Sequence, residues 1–327
     1  MQKKSLVIVY NTFDEFVIDY MITHRIRKML PVLNDYIFRG ESSVGYTLLP
    51  SVLREENESI LMNCSANIQC AQTDTPYATS EAWHIEKEYA LLHRFFNYSN
   101  RQGLKLPYVK LFHHSSMMDS FSVAYLSRQT NPTQWYTSEM AELAALAQLY
   151  GCLTRLLDWT YDIWVAFYFA VHDALKLYRE TGKWCSDYIR IWALDARTLR
   201  VINPQDMRSQ LCTVVPSYHD NPNLRAQKGI LTYWKLIEEN GHMWSKAPID
   251  RTPLDVLYLD SYPDNKVLFE QCPPIVQSHF PVSICLRAYQ GLRELGYTSS
   301  RLFPRYQGVK KQIDDNVMIA ELFGGRA

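Results

Sequence analysis

The stretch that decides the fold is Leu153-Thr154-Arg155-Leu156-Leu157-Asp158-Trp159-Thr160, which runs into the apolar segment Ile163-Trp164-Val165-Ala166-Phe167-Tyr168-Phe169-Ala170-Val171. Polar side chains therefore stand between two of the most apolar runs of the chain. Burying a carboxylate or guanidinium without a partner costs several kcal/mol, so such groups persist where they satisfy one another or contact a ligand. Two interpretations are open: a buried Arg155–Asp158 pair that fixes a strand-to-helix corner, or a ligand site.

The composition is that of a soluble globular protein. Of the 327 residues, 47% are hydrophobic and 21% are charged, which fits one large domain or two ordinary ones. The 34 basic and 34 acidic residues cancel, so the net charge argues neither for nor against a nucleic-acid partner.

Neither a metal site nor a membrane segment is expected from the sequence. The seven cysteines form no CxxC pair, and no His/Cys cluster has zinc-site spacing. The start of the chain lacks the long apolar region of a signal peptide. The longest apolar run, residues 163–171, has nine residues, whereas a bilayer span needs ~20. We therefore expect a reduced, cytoplasmic protein.

Helical and strand patterns are interspersed, which predicts an α+β fold. We predict helices over residues 13–30, 80–98, 137–150, 161–180 and 287–295, and strands over 4–10, 35–41, 187–194 and 278–286. Ser138 is the expected cap of its helix. Glu86 and Glu88 are expected on a solvated helix face, with the alternative that one of them points inward.

No internal repeat and no Pro/Gly-rich linker interrupts the chain. The simplest organisation is therefore one domain with insertions. Within it we distinguish an N-terminal strand and helix (1–30), a core (31–240) and a C-terminal elaboration (241–327).

Two further polar motifs stand apart from the first. Arg39 ends a predicted strand and precedes Gly40, so it is either an anion-binding group or the partner of a structural carboxylate. Gln227 lies in a tight turn that leads into a short strand, and the alternative is an ordinary surface turn.

The three motifs together resemble the FRG domain family, over roughly residues 30–240. Three stretches carry the resemblance: Phe38-Arg39-Gly40-Glu41 with Leu49-Pro50-Ser51-Val52-Leu53-Arg54, then Ala147-Gln148-Leu149-Tyr150-Gly151-Cys152-Leu153-Thr154-Arg155-Leu156-Leu157-Asp158-Trp159-Thr160 with Ala166-Phe167-Tyr168-Phe169-Ala170, and Asn223-Leu224-Arg225-Ala226-Gln227-Lys228-Gly229. The chain departs from the family pattern at Leu149 and Leu153, where His and Pro are usual.

A more distant resemblance is to arginine-type ADP-ribosyltransferases. In that family an Arg-Gly strand comes first, a Ser-Thr-Ser strand leading into an apolar helix comes second, and a catalytic Glu comes third. Here Arg39-Gly40 matches the first, residues 157–170 resemble the second, and Gln227 stands where the Glu is expected. The resemblance implies an ADP-ribosyltransferase-like split β-sheet core with surrounding helices, and NAD as the substrate.

The resemblance also implies roles for individual residues. Arg39, Asp158 and Gln227 would form the catalytic set: Arg39 binds phosphate or ribose, Asp158 supplies negative charge and Gln227 bonds a ribose hydroxyl. NAD would further contact a larger group, namely Gly40, Tyr150, Thr154, Trp159, Thr160 and Tyr168, of which the threonines hydrogen-bond and the aromatic rings stack.

The function implied is NAD-dependent ADP-ribosylation of a macromolecular acceptor, either RNA or protein. Such an enzyme would act as a toxin in a toxin–antitoxin system or in antiviral defence, and a neutralising antitoxin protein would be its partner. Two alternatives stay open: a non-catalytic nucleotide-binding module, which Gln227 in place of Glu would allow, and an NAD glycohydrolase.

Overall fold

A computed structural model describes residues 5–23, 36–64, 79–113, 133–195, 210–238, 244–261 and 273–324. Within these ranges nine strands are found: β1 (Leu6–Val9), β2 (Tyr36–Glu41), β3 (Thr133–Trp135), β4 (Leu157–Thr160), β5 (Tyr188–Asp195), β6 (Leu211–Val214), β7 (Gly229–Trp234), β8 (Leu236–Glu238) and β9 (Ile275–Pro281).

Eleven α-helices lie in the same described ranges: α1 (Phe13–Ile18), α2 (Glu58–Cys64), α3 (Glu81–Arg101), α4 (Lys110–His113), α5 (Ser138–Leu149), α6 (Ile163–Thr181), α7 (Pro222–Ala226), α8 (Leu254–Ser261), α9 (Cys285–Glu294), α10 (Ser299–Leu302) and α11 (Tyr306–Phe323). The helix predicted over 13–30 begins where expected, and a π-helical turn, Asp19–Thr23, follows α1. Its predicted remainder lies outside the described residues.

Seven strands form one mixed sheet in the order β1-β9-β5-β2-β4-β7-β6. β1 runs parallel to β9, and the other neighbours are antiparallel. β3 and β8 form a separate two-stranded sheet. The α+β prediction is therefore confirmed, and the main sheet draws strands from residues 1–30, 31–240 and 241–327.

Helix α6 covers one face of the main sheet. Ten of its residues are buried, and they share a core with α1, α9 and inward residues of β2, β5 and β9. The N-cap of the helix is Asp162, whose carboxylate accepts a hydrogen bond from Trp164 N at 3.0 Å. It ends at Gly182, which adopts a left-handed φ of 69°. The apolar run therefore forms the central helix that its pattern predicts.

The opposite sheet face is covered by α8, which packs on alternate residues of the same strands. A third apolar cluster joins α3 and α5 to the β6–β7 end of the sheet. Helix α5 is capped by Thr137, whose hydroxyl accepts from Met140 N at 3.3 Å. The prediction that Ser138 caps it is wrong by one residue, because Thr137 holds the extended conformation that a cap requires.

A buried ionic cluster links the start of β4 to helix α3. Arg155 Nε donates to Glu88 Oε1 at 2.6 Å, and Arg155 Nη2 pairs with Glu81. Glu88 also accepts hydrogen bonds from His84, Trp135 and Tyr136, and Glu88 is 1% exposed. The Arg155–Asp158 pair, one of the two interpretations left open, is therefore wrong. The expected solvated face is also wrong, because both Glu86 and Glu88 are buried.

The cluster explains why α3 buries acidic residues. Burial alone would raise the pKa of Glu88, but the Arg155 charge and the hydrogen bond from His84 hold that pKa below its usual value. The guanidinium in turn has a raised pKa because Glu81 and Glu88 outweigh its desolvation. Opposite charges that satisfy one another can remain buried, and Arg155 therefore has a structural role.

Candidate functional site

The main sheet opens between its two central strands, β2 and β4. β2 pairs with β5 over six residues and β4 pairs with β7 over four, but β2 and β4 share a single register pair, Phe38 with Thr160. Continued antiparallel pairing would place Gly40 opposite Asp158. The strands separate there instead, and the gap lies directly beneath the first turns of α6.

A cleft of about 380 Å³ occupies this gap. Three sequence motifs contribute to it: Arg39 and Gly40 from β2, Asp158 to Thr160 from β4, and Gln227 from the turn after α7. Apolar residues of α6 and Phe303 form much of the remaining wall. The volume lies within the range of about 300–1,000 Å³ that small-molecule sites occupy.

Arg39 holds the edge of the opening. Its Nη1 donates to the Asp158 carbonyl oxygen at 2.9 Å, and its Nε donates to Glu41 Oε1 at 3.3 Å. The side chain is 20% exposed, so it is oriented by protein groups and still reaches solvent. Both interpretations of Arg39 thus have support, since it pairs with a structural carboxylate and also lines the cleft.

Gly40 brings helix α6 close to the sheet. A Cβ at this position would lie 1.8 Å from the Ala166 carbonyl oxygen and 3.0 Å from Ala170 Cβ. Only glycine fits such a close approach. The glycine of the Arg-Gly pair is therefore required for packing, whatever ligand the cleft binds.

Thr160 and Gln227 connect the β4 edge to the third motif. Thr160 Oγ1 donates to the Gln227 carbonyl oxygen at 2.6 Å and accepts from Asp162 N at 3.0 Å. The Gln227 side-chain amide donates to the Leu302 carbonyl oxygen at 3.1 Å. The two residues predicted from separate motifs are thus in direct contact, and the Thr160 hydroxyl donates its proton to the Gln227 carbonyl oxygen.

Asp158 points away from the protein interior. Its neighbours on β4, Leu157 and Trp159, belong to the buried cluster on the far face of the sheet, while Asp158 is exposed and borders the cleft. Trp159 also borders the cleft, but its indole Nε1 donates to Thr232 Oγ1 at 2.8 Å. Asp158 is therefore accessible to a ligand, and the Trp159 ring is committed to the core.

Three predicted NAD contacts lie elsewhere. Tyr150 is 71% exposed and lines a separate surface depression with Asp220 and Arg305. Thr154 is fully buried, and its hydroxyl bonds Gln148 and accepts from Leu156 N. The hydroxyl of Tyr168 lies 2.5 Å from Ser299 Oγ in the interior. The structure does not bring these three side chains to the cleft.

A second, larger cavity adjoins the cleft, with a volume of about 560 Å³. The two share Arg39, Gly40 and Asp173, and the adjoining cavity is further lined by Arg54 and Arg251. No site role was assigned to Asp173, Arg54 or Arg251 from the sequence. Asp173 could have been found, because it follows the cleft-lining Ala166 by seven residues on the same helical face.

Asp173 is connected to a buried carboxylate through His172. His172 Nδ1 lies 3.3 Å from Asp173 Oδ1, and its Nε2 lies 2.9 Å from Asp315 Oδ1. Burial by itself lowers the pKa of His172, but hydrogen bonds to Asp173 and Asp315 raise it to about 9. Burial would raise the pKa of Asp315, yet hydrogen bonds from His172 and Ser299 hold it below its usual value. A protonated His172 therefore bridges two carboxylates at neutral pH.

Among the described residues, no three His, Cys, Asp or Glu side chains come together in a way that could hold a metal ion. Nor does any described helix have the length and apolar character needed to cross a bilayer. The lining of the cleft includes an arginine, two carboxylates and side-chain amides.

Comparison with known proteins identifies one family. The model of the FRG domain matches residues 34–178, a shorter range than the 30–240 expected from the motifs. It includes the first and second motifs and ends before Gln227. No curated protein and no solved structure matches the chain. The protein therefore contains an FRG domain, which extends over residues 34–178.

Proposed function

We propose that this protein is an NAD-dependent ADP-ribosyltransferase that modifies a macromolecular acceptor, either RNA or protein. The observation that carries the proposal is the convergence of three distant motifs on the gap between β2 and β4. Arg39, Asp158 and Gln227 border one cleft, although 119 residues separate the first two along the chain and 69 separate the last two. Their order along the chain is that of the ADP-ribosyltransferase motifs that the sequence resembles.

The chemistry of the cleft suits a dinucleotide. Arg39 supplies a partly exposed guanidinium, which can bind phosphate in a bidentate manner. It stands where the cleft meets the adjoining cavity, whose lining mixes two more arginines, Arg54 and Arg251, with acidic residues. Those acidic residues are Glu41, Glu55, Glu56 and Asp173. A molecule with a central pyrophosphate would place its charge at this junction and extend to either side.

The reaction breaks the bond between ribose C1′ and the nicotinamide nitrogen, and the electron pair leaves with nicotinamide. Positive charge develops on the ribose, so preorganised negative charge nearby lowers the barrier. Gln227 is neutral and can only position a ribose hydroxyl. The exposed carboxylate of Asp158 is available to stabilise the charge.

One observation favours a second candidate, a nucleotide-binding module without catalysis. The Gln227 amide is already bonded to the Leu302 carbonyl oxygen. The third motif thus has no carboxylate at position 227, and the Gln227 amide donor is engaged by a backbone carbonyl of the protein. Such a site would bind NAD or a related nucleotide and release no nicotinamide.

The experiment is incubation of the purified protein with NAD labelled in the adenylate, in the presence of total RNA or cell lysate. We expect label on a macromolecule, and at least a tenfold lower rate for Arg39→Ala because a phosphate-binding cation is lost. Arg287→Ala serves as the matched control, since Arg287 is an exposed arginine paired with Asp14 at 3.3 Å and is absent from the linings of the cleft and the adjoining cavity.

Each alternative has its own outcome. Nicotinamide release without labelled acceptor identifies an NAD glycohydrolase, and calorimetric binding without release identifies the binding module. If wild type neither labels nor binds, or if Arg39→Ala labels as fast as Arg287→Ala, the proposal fails.

The biological role that follows is that of a toxin in a toxin–antitoxin or antiviral defence system, acting in the cytoplasm. Unregulated ADP-ribosylation would poison the host, and an antitoxin protein would therefore be required. Expression from a tightly controlled promoter tests this: wild type should arrest growth, and Arg39→Ala should not.

A further inference from the structure

The cleft contains a carboxylate that its sequence motifs do not include. Within the described part of the chain, Asp158 and Asp173 are the acidic residues that line the cleft. Asp173 also lines the adjoining cavity, so it stands at the junction with Arg39 and Gly40. Its side chain is 58% exposed, which leaves it accessible to a ligand.

Asp173 differs from Asp158 in how it is held. His172 contacts Asp173 at 3.3 Å and is itself fixed by Asp315 at 2.9 Å. Asp315 is 4% exposed and also accepts from Ser299 and Tyr289. His172 is thus held by Asp315, a buried carboxylate with several hydrogen-bond donors, and in turn contacts Asp173. Electrostatic stabilisation is most effective when the charge is preorganised, because no reorganisation is then needed during the reaction.

We propose that Asp173 is a second carboxylate, beside Asp158, that stabilises the positive ribose when the bond to nicotinamide breaks. This inference rests on the proposed transferase function and assigns its third role to a residue of α6 in place of the missing Glu at position 227. The new bond forms between ribose C1′ and a lone pair of the acceptor, whose proton passes to water. Asp173 exchanges no proton with the substrate or the acceptor in this step and acts through the charge of its carboxylate.

The position of Asp173 agrees with this role. It shares a helical face with Ala166 and Phe169, which line the cleft above β2. A ribose bound beneath this face would lie in a space whose lining includes both Arg39 and Asp173. An acceptor entering from the adjoining cavity would pass the same carboxylate, because Asp173 borders both spaces.

The test measures nicotinamide release and NAD affinity for wild type, Asp173→Asn and Asp173→Glu. Removing a preorganised charge-stabilising group typically lowers kcat about 10²–10³-fold. We expect a loss of this size for Asp173→Asn, with an NAD dissociation constant changed less than about threefold. Asp173→Glu, which keeps the charge, should recover part of kcat.

The matched control is Glu180→Gln on the same helix. Glu180 has a side chain 55% exposed, close to that of Asp173, and it pairs with Lys176 on the solvent side. We expect wild-type kcat from it. Thermal melting of each variant shows whether a loss of activity follows from unfolding. If Asp173→Asn is unfolded, the activity of Asp173→Glu decides whether the charge at this position matters.

The outcomes separate the two proposals. If wild type releases nicotinamide and both Asp173 variants do so at the wild-type rate, the assignment of Asp173 is overturned and the transferase proposal stands. A loss that appears in the dissociation constant and not in kcat also overturns it, because Asp173 would then bind substrate in the ground state. If wild type binds NAD and releases nothing, both proposals fall.

Discussion

Replacement of Gly40 by alanine is the most direct test of how the cleft is built. Alanine adds one methyl group on the face of β2 that contacts α6. That Cβ would lie 1.8 Å from the Ala166 carbonyl oxygen and 2.8 Å from the Ala166 carbonyl carbon. Both atoms belong to the backbone, so no side-chain rotation can relieve the overlap.

The magnitude follows from these distances. Ordinary contact of a Cβ begins near 3.4 Å, so α6 must withdraw from β2 by up to 1.6 Å, the difference between 3.4 and 1.8 Å. Adding a methyl group to a packed core usually costs about 1–3 kcal/mol. Because rigid backbone is displaced here, and the helix buries ten residues, we expect a loss of about 3 kcal/mol or more.

The measurement is the free energy of unfolding from urea titration, with circular dichroism as the signal. Gly45→Ala is the control, because a Cβ at Gly45 meets only the Ser43 hydroxyl, at 3.3 Å. We expect that variant to change the free energy of unfolding by less than about 0.5 kcal/mol, as surface substitutions do. If Gly40→Ala unfolds within 0.5 kcal/mol of wild type, the contact between β2 and α6 is not as close as described.

Two further predictions concern the buried networks. Glu88→Gln leaves Arg155 buried with one of its charged partners lost, and urea titration should show a loss of about 3–5 kcal/mol; a loss below 1 kcal/mol would contradict it. The pKa of His172 is raised to about 9, so its stabilising effect is complete below about pH 6.5 and is lost as pH rises through 9. Wild type should therefore lose on the order of 2 kcal/mol more than His172→Gln between pH 6.5 and 9.5, and equal losses would refute this.

The central helix and its neighbouring strands were predictable because local patterns specify them. The run from Ile163 to Val171 is apolar on nearly every side, which suits a helix that is buried between a sheet and other helices. Gly182 ends it, as the sequence indicated. Capping residues and apolar periodicity act within a few residues, so a single sequence contains enough information to place them.

The buried acidic residues of α3 could not be predicted, because their partners lie far along the chain. Glu88 is followed by its partner Arg155 only after 67 residues. Locally, an acidic residue on a helix is most often solvated. Only the tertiary fold shows that Arg155 pairs with Glu81 and Glu88 of α3 and not with Asp158, so the expected Arg155–Asp158 pair is wrong and the ligand site stays a prediction.

The cleft itself was only partly predictable. Arg39, Asp158, Thr160 and Gln227 were identified as a group and do converge. Tyr150, Thr154 and Tyr168 belong to the same motif, but their side chains do not line the cleft. A sequence motif does not distinguish residues that stabilise the fold from residues that face a cleft. The family resemblance indicates which strands and turns border the cleft, and side-chain direction is set by the strand and helix registers.

The separation of β2 from β4 is stabilised by the residue that a ligand would engage. Where the strand ladder stops, Arg39 Nη1 takes up the Asp158 carbonyl oxygen that a strand partner would otherwise bond. A bound phosphate would compete with that carbonyl and with Glu41 for the same guanidinium. A guanidinium can bind phosphate through two parallel hydrogen bonds, so in the proposed complex Arg39 would exchange its bond to the Asp158 carbonyl oxygen for bonds to the ligand. Occupancy of the cleft would then alter the β2–β4 edge itself, which links ligand binding to the conformation of the sheet.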